Sequence, residues 1–190
     1  MRVNPTDHHI RSAFEKVKHM DAFEESRALF AKGKRPLEMI QAMCLHPEIL
    51  RCFGEWGKGV YPGGLLERSI KEFIILEASR RNDCQFCRQS HIDFIRSLGI
   101  SNDPLATVTN PNSGATPRTE RERLAIEYTD LAMSGSNTIP DSFFAKLTKH
   151  FTDPEIVEMT FTIGMINLLN LFNNCLQVRY HGECAMTPVA

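Results

Sequence analysis

The sequence lacks the features that would tie it to a nucleic acid, a membrane or an oxidising compartment. Its 22 basic and 23 acidic residues leave a formal charge of -1. No basic excess is present to hold a phosphate backbone or an anionic bilayer. Six cysteines in 190 residues are too few for a disulfide scaffold. The first twenty residues, MRVNPTDHHIRSAFEKVKHM, contain no apolar run of the kind a secretory signal carries. The longest apolar stretch, residues 159–172 (MTFTIGMINLLNLF), is short for a membrane span, and Asn167 and Asn170 interrupt it. A buried core helix is the expectation there. The period-two alternation of a half-buried strand is missing as well, and so are internal repeats and low-complexity segments. These absences predict a cytoplasmic protein with neither nucleic acid nor membrane as partner.

Helix signals are abundant. Apolar residues make up 42% of the chain, enough for a substantial core in one domain of this size. Residues 65–81 (LLERSIKEFIILEASRR) carry apolar side chains around most of the cylinder, which predicts a largely buried helix. Asn82 or Asp83 is suited to cap a second helix from about Cys84 to Leu98, which Gly99 would end. A connector rich in turn formers follows over residues 99–117; its length is unusual in a compact domain unless part of it is helical or functional, and it reads as the join between two helical halves. Thr119 and Glu122 fit a capping box. The helix they open places Leu124, Ala125, Tyr128, Leu131 and Ala132 on one face. A shorter helix should run from Asp141 to Lys149, and the longest from Pro154 to about Val178. Upstream, two short helices should break at His46-Pro47. The first thirty residues read as one amphipathic helix with Ile10, Phe14, Val17 and Phe23 as its apolar points. The fold class predicted is all-α.

The segment NDCQFCRQSH, residues 82–91, carries the chemistry. On a helix, Cys84, Cys87, His91, Phe94 and Leu98 are spaced 3, 4, 3 and 4, so they form one stripe. Both thiols would sit in the first turn, where unpaired amides and partial positive charge favour a thiolate. His91, one turn beyond Cys87, can take its proton. These are the parts of a dithiol redox centre. Two other readings stay open on the residues alone. Cys84, Cys87, His91 and a carboxylate could ligate zinc, although Cys44, Cys52, Cys175 and Cys184 show no second paired spacing and read as core or tail thiols. The thiols could also be inert and buried. Glu72, on the preceding helix, shares a partly apolar face with Leu65, Ser69, Leu76 and Ser79. It can partner His91, or form a local ion pair with Arg68 or Lys71. Glu77 pairs as easily with Arg80 or Arg81.

Glu72, Cys84, Cys87 and His91, within KEFIILEASRRNDCQFCRQSHIDFIRSLGIS, resemble the signature of the alkylhydroperoxidase D-like (AhpD-like) branch of the carboxymuconolactone decarboxylase superfamily. That signature is a Glu on one helix, then C-x-x-C and His on the next. The upstream PLEMIQAMCLHPEILRCF and the late FTIGMINLLNLFNNCLQV resemble other parts of that family. The resemblance implies an AhpD-like all-α domain of about seven to nine helices at residues 37–180, with an N-terminal helical extension at 1–36 and a tail at 181–190. It implies homo-oligomers, commonly trimers or hexamers. It also implies a peroxidase that needs no cofactor and no metal, and that reduces a hydroperoxide at the expense of a dithiol donor such as a lipoyl-protein or thioredoxin-like protein. Under it, Cys87 is the thiol nearer the base, Cys84 the more exposed one that meets the reductant, and Glu72 with His91 a proton relay. One departure is Phe86, where the best-known members carry a histidine. The alternative function is a metal-binding or non-catalytic oligomeric stress protein of the same fold.

Overall fold

The computed structural model describes residues 1–110 and 118–182. Among them it shows ten α-helices, one 3-10 turn and no strand. The all-α expectation holds. The helices are α1 (Asp7–Lys16), α2 (Glu24–Ala31), α3 (Glu38–Met43), α4 (Pro47–Gly59), α5 (Arg68–Arg81), α6 (Gln85–Ser97), α7 (Pro104–Thr109), α8 (Glu120–Gly135), α9 (Asp141–Leu147) and α10 (Asp153–Leu176). Eight of them, α3 to α10, fall within residues 37–180, inside the seven to nine expected there, and two features depart from the reading of the sequence. The N-terminal region is not one helix but α1, a 3-10 turn at Asp21–Phe23 and α2. The long connector contributes α7, opened by Asp103 as cap and Pro104 in its first turn; residues 111–117 of that connector lie outside the described part.

Contacts divide the chain into two compact units, Met1–Gly64 with the segment that begins at Asn173, and Leu65–Phe172. In the first unit, Thr6 caps α1 by accepting from the His9 amide, while the Thr6 amide donates to His9 Nδ1 at 3.1 Å. Ile10, Ala13 and Phe14 are buried on one face of that helix. Gly54 of α4 is required by close packing: a Cβ there would fall 2.6 Å from both Met20 Cε and Phe23 Cε2. The segment after α10 is tied to the same unit, since the Arg179 amide donates to Glu38 at 2.9 Å.

In the second unit α5 is the central element, packed against α6, α7 and α8. Every residue from Ile70 to Ser79 is buried. Ile70 and Ile74 join Leu124, Tyr128, Phe143, Leu147, Met159 and Ile163 in one core, and Phe73 and Leu76 join Ile95, Val108 and Ile126 in another. Each fully buried Leu, Ile or Phe side chain contributes about 1.5–3 kcal/mol. A helix buried on all sides must find partners for its charged residues. Lys71 meets Glu158 at 2.7 Å, Glu77 meets Arg80 at 2.7 Å, and Glu72 meets Arg68 at 2.6 Å. The predicted capping box at Thr119 and Glu122 opens α8. Helix α10 is 24 residues long, and by length and composition it is apolar enough to cross a membrane. Within the second unit it buries Met159, Ile163, Met165, Ile166 and Leu169 and leaves Val157, Phe161, Leu168 and Leu171 exposed.

Candidate active site

A turn of three residues joins α5 to α6 and builds the site. Asn82 closes α5, Asp83 adopts a left-handed conformation (φ 47°), and Cys84 caps α6. Aspartate tolerates the left-handed region better than most residues. The expected cap, Asn82 or Asp83, is thus displaced by one or two residues. Cys84 Sγ takes the place of a capping oxygen and accepts from the Cys87 amide at 3.4 Å. Asn82 is occupied elsewhere: its amide donates to Asn167 Oδ1 at 2.6 Å and to Asn170 Oδ1 at 3.0 Å.

The two sulfurs lie 2.9 Å apart as reduced thiols, with no disulfide between them. Both are buried, Cys84 at 0% and Cys87 at 3% exposure. The expectation that Cys84 is the more exposed thiol does not match this geometry. Its position explains why: the Cys84 amide donates to the Ser79 carbonyl at 2.9 Å, which draws the cap against the end of α5. The Cys84 thiol is held below its ordinary value. The Cys87 thiol contributes most, followed by the Cys87 amide, the Asn170 side chain and the positive charge of Arg88, all against burial, which raises it.

Glu72 and His91 come together. His91 Nδ1 lies 2.6 Å from Glu72 Oε2, and Arg68 Nε donates to Glu72 Oε1 at 2.6 Å. The Glu72 side chain is wholly buried and bridges a guanidinium and an imidazole. Such a bridge fixes the orientation of the ring, with Nε2 turned away from the carboxylate. The His91 ring also packs edge-on against Phe94, with centroids 5.4 Å apart. His91 sits one helical turn after Cys87 on α6, so the predicted stripe is real. It runs from buried thiols through a mostly buried imidazole to an exposed Leu98. Phe86, between the cysteines, is buried and makes this end of α6 apolar. Glu77 belongs to a different arrangement, with both oxygens on Arg80.

Two contributors stood in plain view in the sequence without being assigned to the site. Arg68 was legible only as a local partner of Glu72. Asn170 was legible only as an interruption of an apolar run. A polar side chain in such a run is a signal in itself, because a buried amide must have partners. Among the described residues, no group of three or more His, Cys, Asp or Glu side chains is placed to hold a metal ion. Cys44 is buried, Cys52 and Cys175 are exposed, and Cys184 lies outside the described residues.

No family model matches the sequence. Among curated proteins it is similar to the uncharacterized protein YnjA of Escherichia coli (strain K12), 29% identical over 119 residues. The match covers 63% of this chain and 65% of that protein, just under two thirds of its length. It is also similar to the uncharacterized protein YdfG of Bacillus subtilis (strain 168), 24% identical over 106 residues, with 55% and 71% covered. Among solved structures, a protein of unknown function from Agrobacterium tumefaciens, provisionally described as the antioxidant defence protein AhpD, superposes with a TM-score of 0.66 at 29% identity. It covers 75% of this chain and 97% of its own. A peroxidase-related protein from Silicibacter sp. TM1040 superposes with a TM-score of 0.70 at 20% identity, covering 89% and 86%. The debrominase Bmp8, in a cysteine-to-alanine variant bound to 2,3,4-tribromopyrrole, superposes with a TM-score of 0.71 at 17% identity, covering 90% and 89%. At identities under 25% the likeness is one of fold.

Proposed function

We propose that this chain, whose fold is that of the AhpD-like proteins, is a thiol-dependent hydroperoxide reductase that cycles Cys84 and Cys87 between dithiol and disulfide. The observation that carries the reading is the pair of thiol sulfurs 2.9 Å apart at the start of α6. A hydrogen-bonded His91–Glu72 couple lies one turn further on. The AhpD-related names among the structural neighbours agree with it. A fold shared with a debrominase is not restricted to one electrophile, so the substrate must be fixed by experiment.

In the proposed cycle the thiol pair carries one negative charge and one proton. His91, oriented by Glu72, removes the first proton. Cys87 Sγ attacks the terminal oxygen of the hydroperoxide; the O–O bond breaks, and the leaving alkoxide takes the proton from His91. The product is a sulfenic acid on Cys87. Cys84 Sγ then attacks that sulfur, water leaves, and the Cys84–Cys87 disulfide forms. The net reaction is ROOH plus two protein thiols to ROH, water and a disulfide. A dithiol donor, of the lipoyl-protein or thioredoxin-like class, returns the two electrons by exchange. No cofactor takes part in this scheme.

The proposal includes a homo-oligomer in the cytoplasm, with a trimer or hexamer as the resemblance implies. Val157, Phe161, Leu168 and Leu171 are spaced 4, 7 and 3 along α10 and are each about half exposed or more. That spacing is one apolar stripe, suited to the surface of another protomer. Light scattering at micromolar concentration should show more than one chain per particle, and a monomer would contradict it. The activity itself is tested by following consumption of hydrogen peroxide and of an alkyl hydroperoxide with dithiothreitol or dihydrolipoamide as donor. Turnover is expected with the protein as purified, and its absence with every donor would reject the reading.

A further inference from the structure

Three buried carboxylates each meet a cation of α5. Glu158 meets Lys71 at 2.7 Å, and Glu77 has both oxygens on Arg80. Glu72 differs, because it divides its oxygens. Arg68, one turn earlier on α5, donates from Nε to Oε1 at 2.6 Å, and Oε2 faces His91 Nδ1 at 2.6 Å. The Glu72 side chain is 0% exposed and the Arg68 side chain 32%. The carboxylate is cut off from solvent, while the guanidinium keeps part of its hydration. A buried carboxylate needs a cation beside it or it takes up a proton. Arginine supplies a charge that is never given up.

One proton lies between Glu72 Oε2 and His91 Nδ1, and its owner decides what Nε2 can do. An ionised Glu72 can only accept, so Nδ1 carries the hydrogen and the neutral ring leaves Nε2 bare. Without the Arg68 charge the buried anion is unpaired, and two states relieve it. In one, Glu72 takes the proton and donates to Nδ1, so the neutral ring carries its own hydrogen on Nε2. In the other, the ring becomes imidazolium, with a hydrogen on each nitrogen. Both block Nε2, which then cannot accept a proton from the thiol pair.

We infer that Arg68 is a positioning residue: its charge keeps Glu72 an acceptor only, which holds His91 in the tautomer whose bare Nε2 takes the proton of the thiol pair. This deepens the hydroperoxide reductase reading above and rests on it for the role of the base. Arg68 acts through Glu72 and not on the reacting sulfur. The protons balance through the cycle. The thiol pair gives one proton to Nε2, and the ring becomes imidazolium with Nδ1–H still on Glu72. The leaving alkoxide takes the Nε2 proton, and the ring returns to the tautomer it started from. Arg68, Glu72 and His91 together go from no net charge to +1 and back, and Glu72 gains no proton at any stage.

Proton–nitrogen correlation spectra of the full-length protein, with its histidines labelled with nitrogen-15, read the ring tautomer without peroxide turnover. The background is Cys84→Ser with Cys87→Ser, which has no thiol proton to give, and the His91 ring is identified by its loss in His91→Gln. At pH 8, Nδ1 should carry the hydrogen and Nε2 none; a hydrogen on Nε2 overturns the inference. Arg68→Gln keeps a hydrogen-bond donor and loses the charge. In that variant Nε2 should carry a hydrogen, and Arg68→Lys should restore the bare nitrogen. A bare Nε2 in folded Arg68→Gln protein, judged by circular dichroism, overturns the positioning role. Should Arg68→Gln not fold, the tautomer of the protein that retains Arg68 decides alone. With both cysteines present, Arg68→Gln should lower peroxide turnover on the order of a hundredfold, and Arg68→Lys should recover most of it. Added to Glu72→Gln, Arg68→Gln should cause no further loss; additive losses would contradict action through Glu72. Failure of the peroxidase reading registers separately, as absent turnover in the unsubstituted protein.

Discussion

Cys44 and Cys84 are both buried thiols, at 2% and 0% exposure, yet the protein shifts them in opposite directions. Burial pushes Cys44 up to about 12, with no hydrogen bond or charge to oppose it. Cys84 is held below the ordinary thiol value by donors from Cys87 and Asn170 and by Arg88. Burial alone therefore makes an inert thiol; burial among fixed donors makes a nucleophile or a leaving group. The same lesson holds for the two buried acids of α5. Glu77 spends both oxygens on Arg80, whereas Glu72 divides its oxygens between Arg68 and His91. Only the second arrangement includes a residue of α6, one helical turn after Cys87.

The comparison is broken most severely by removing the sulfurs. Cys84→Ser and Cys87→Ser should each abolish peroxide turnover with a dithiol donor. Cys44→Ala should leave turnover intact and cost about 1 kcal/mol of stability, read from urea unfolding. Next in size is the acid pair. Glu72→Gln should lower turnover on the order of a hundredfold, as loss of a positioned proton relay does. Glu77→Gln should lower it little once the folded fraction is matched. Kinetics of the two variants at equal folded concentration would check this.

Much of this arrangement was legible in the sequence. The stripe of Cys84, Cys87 and His91 follows from helical spacing, and the buried character of α5 from apolar residues on all its sides. The capping box at Thr119 announces α8. What escaped has a common physical cause. Cys84 as cap could not be read, because Asn82 and Asp83 are better capping residues by type, and only tertiary contacts show Asn82 engaged with Asn167 and Asn170. The three-piece N-terminal region was hidden because Ile10, Phe14 and Val17 keep helical spacing up to the break, and no proline or glycine marks the residues from Val17 to Phe23. Asn170 lies 86 residues from Cys84, and no local pattern joins them.

A smaller effect concerns titration. Thiolate absorbance should rise with pH below the ordinary thiol range, and the step should vanish in Cys84→Ser but persist in Cys44→Ala. With its thiol at about 12, Cys44 is ionised to only about one part in ten thousand at pH 8. Iodoacetamide should therefore leave it unmodified until denaturant is added, as peptide mass spectrometry would show. The smallest effect lies away from the thiols. Arg121 meets Glu155 at 2.6 Å and Glu67 at 2.8 Å, and chiefly through the Arg121 bond it holds Glu155 down at about 2. A depressed carboxylate stabilises the fold above its unfolded value, near 4.5, and loses that contribution as pH falls toward 2. Arg121→Leu should lower Tm at neutral pH and shrink the drop in Tm between neutral and acidic solution, with no change in the thiolate titration.

The central claim is that Cys84 and Cys87 form one two-electron centre, and a thiol count tests it most directly. Reduced protein is treated with one equivalent of hydroperoxide, its free thiols are counted before and after, and any new bond is mapped by mass spectrometry. The account predicts the loss of two thiols and a Cys84–Cys87 disulfide, with Cys44 still reduced. An unchanged count, or a bond that leaves both Cys84 and Cys87 reduced, would contradict it.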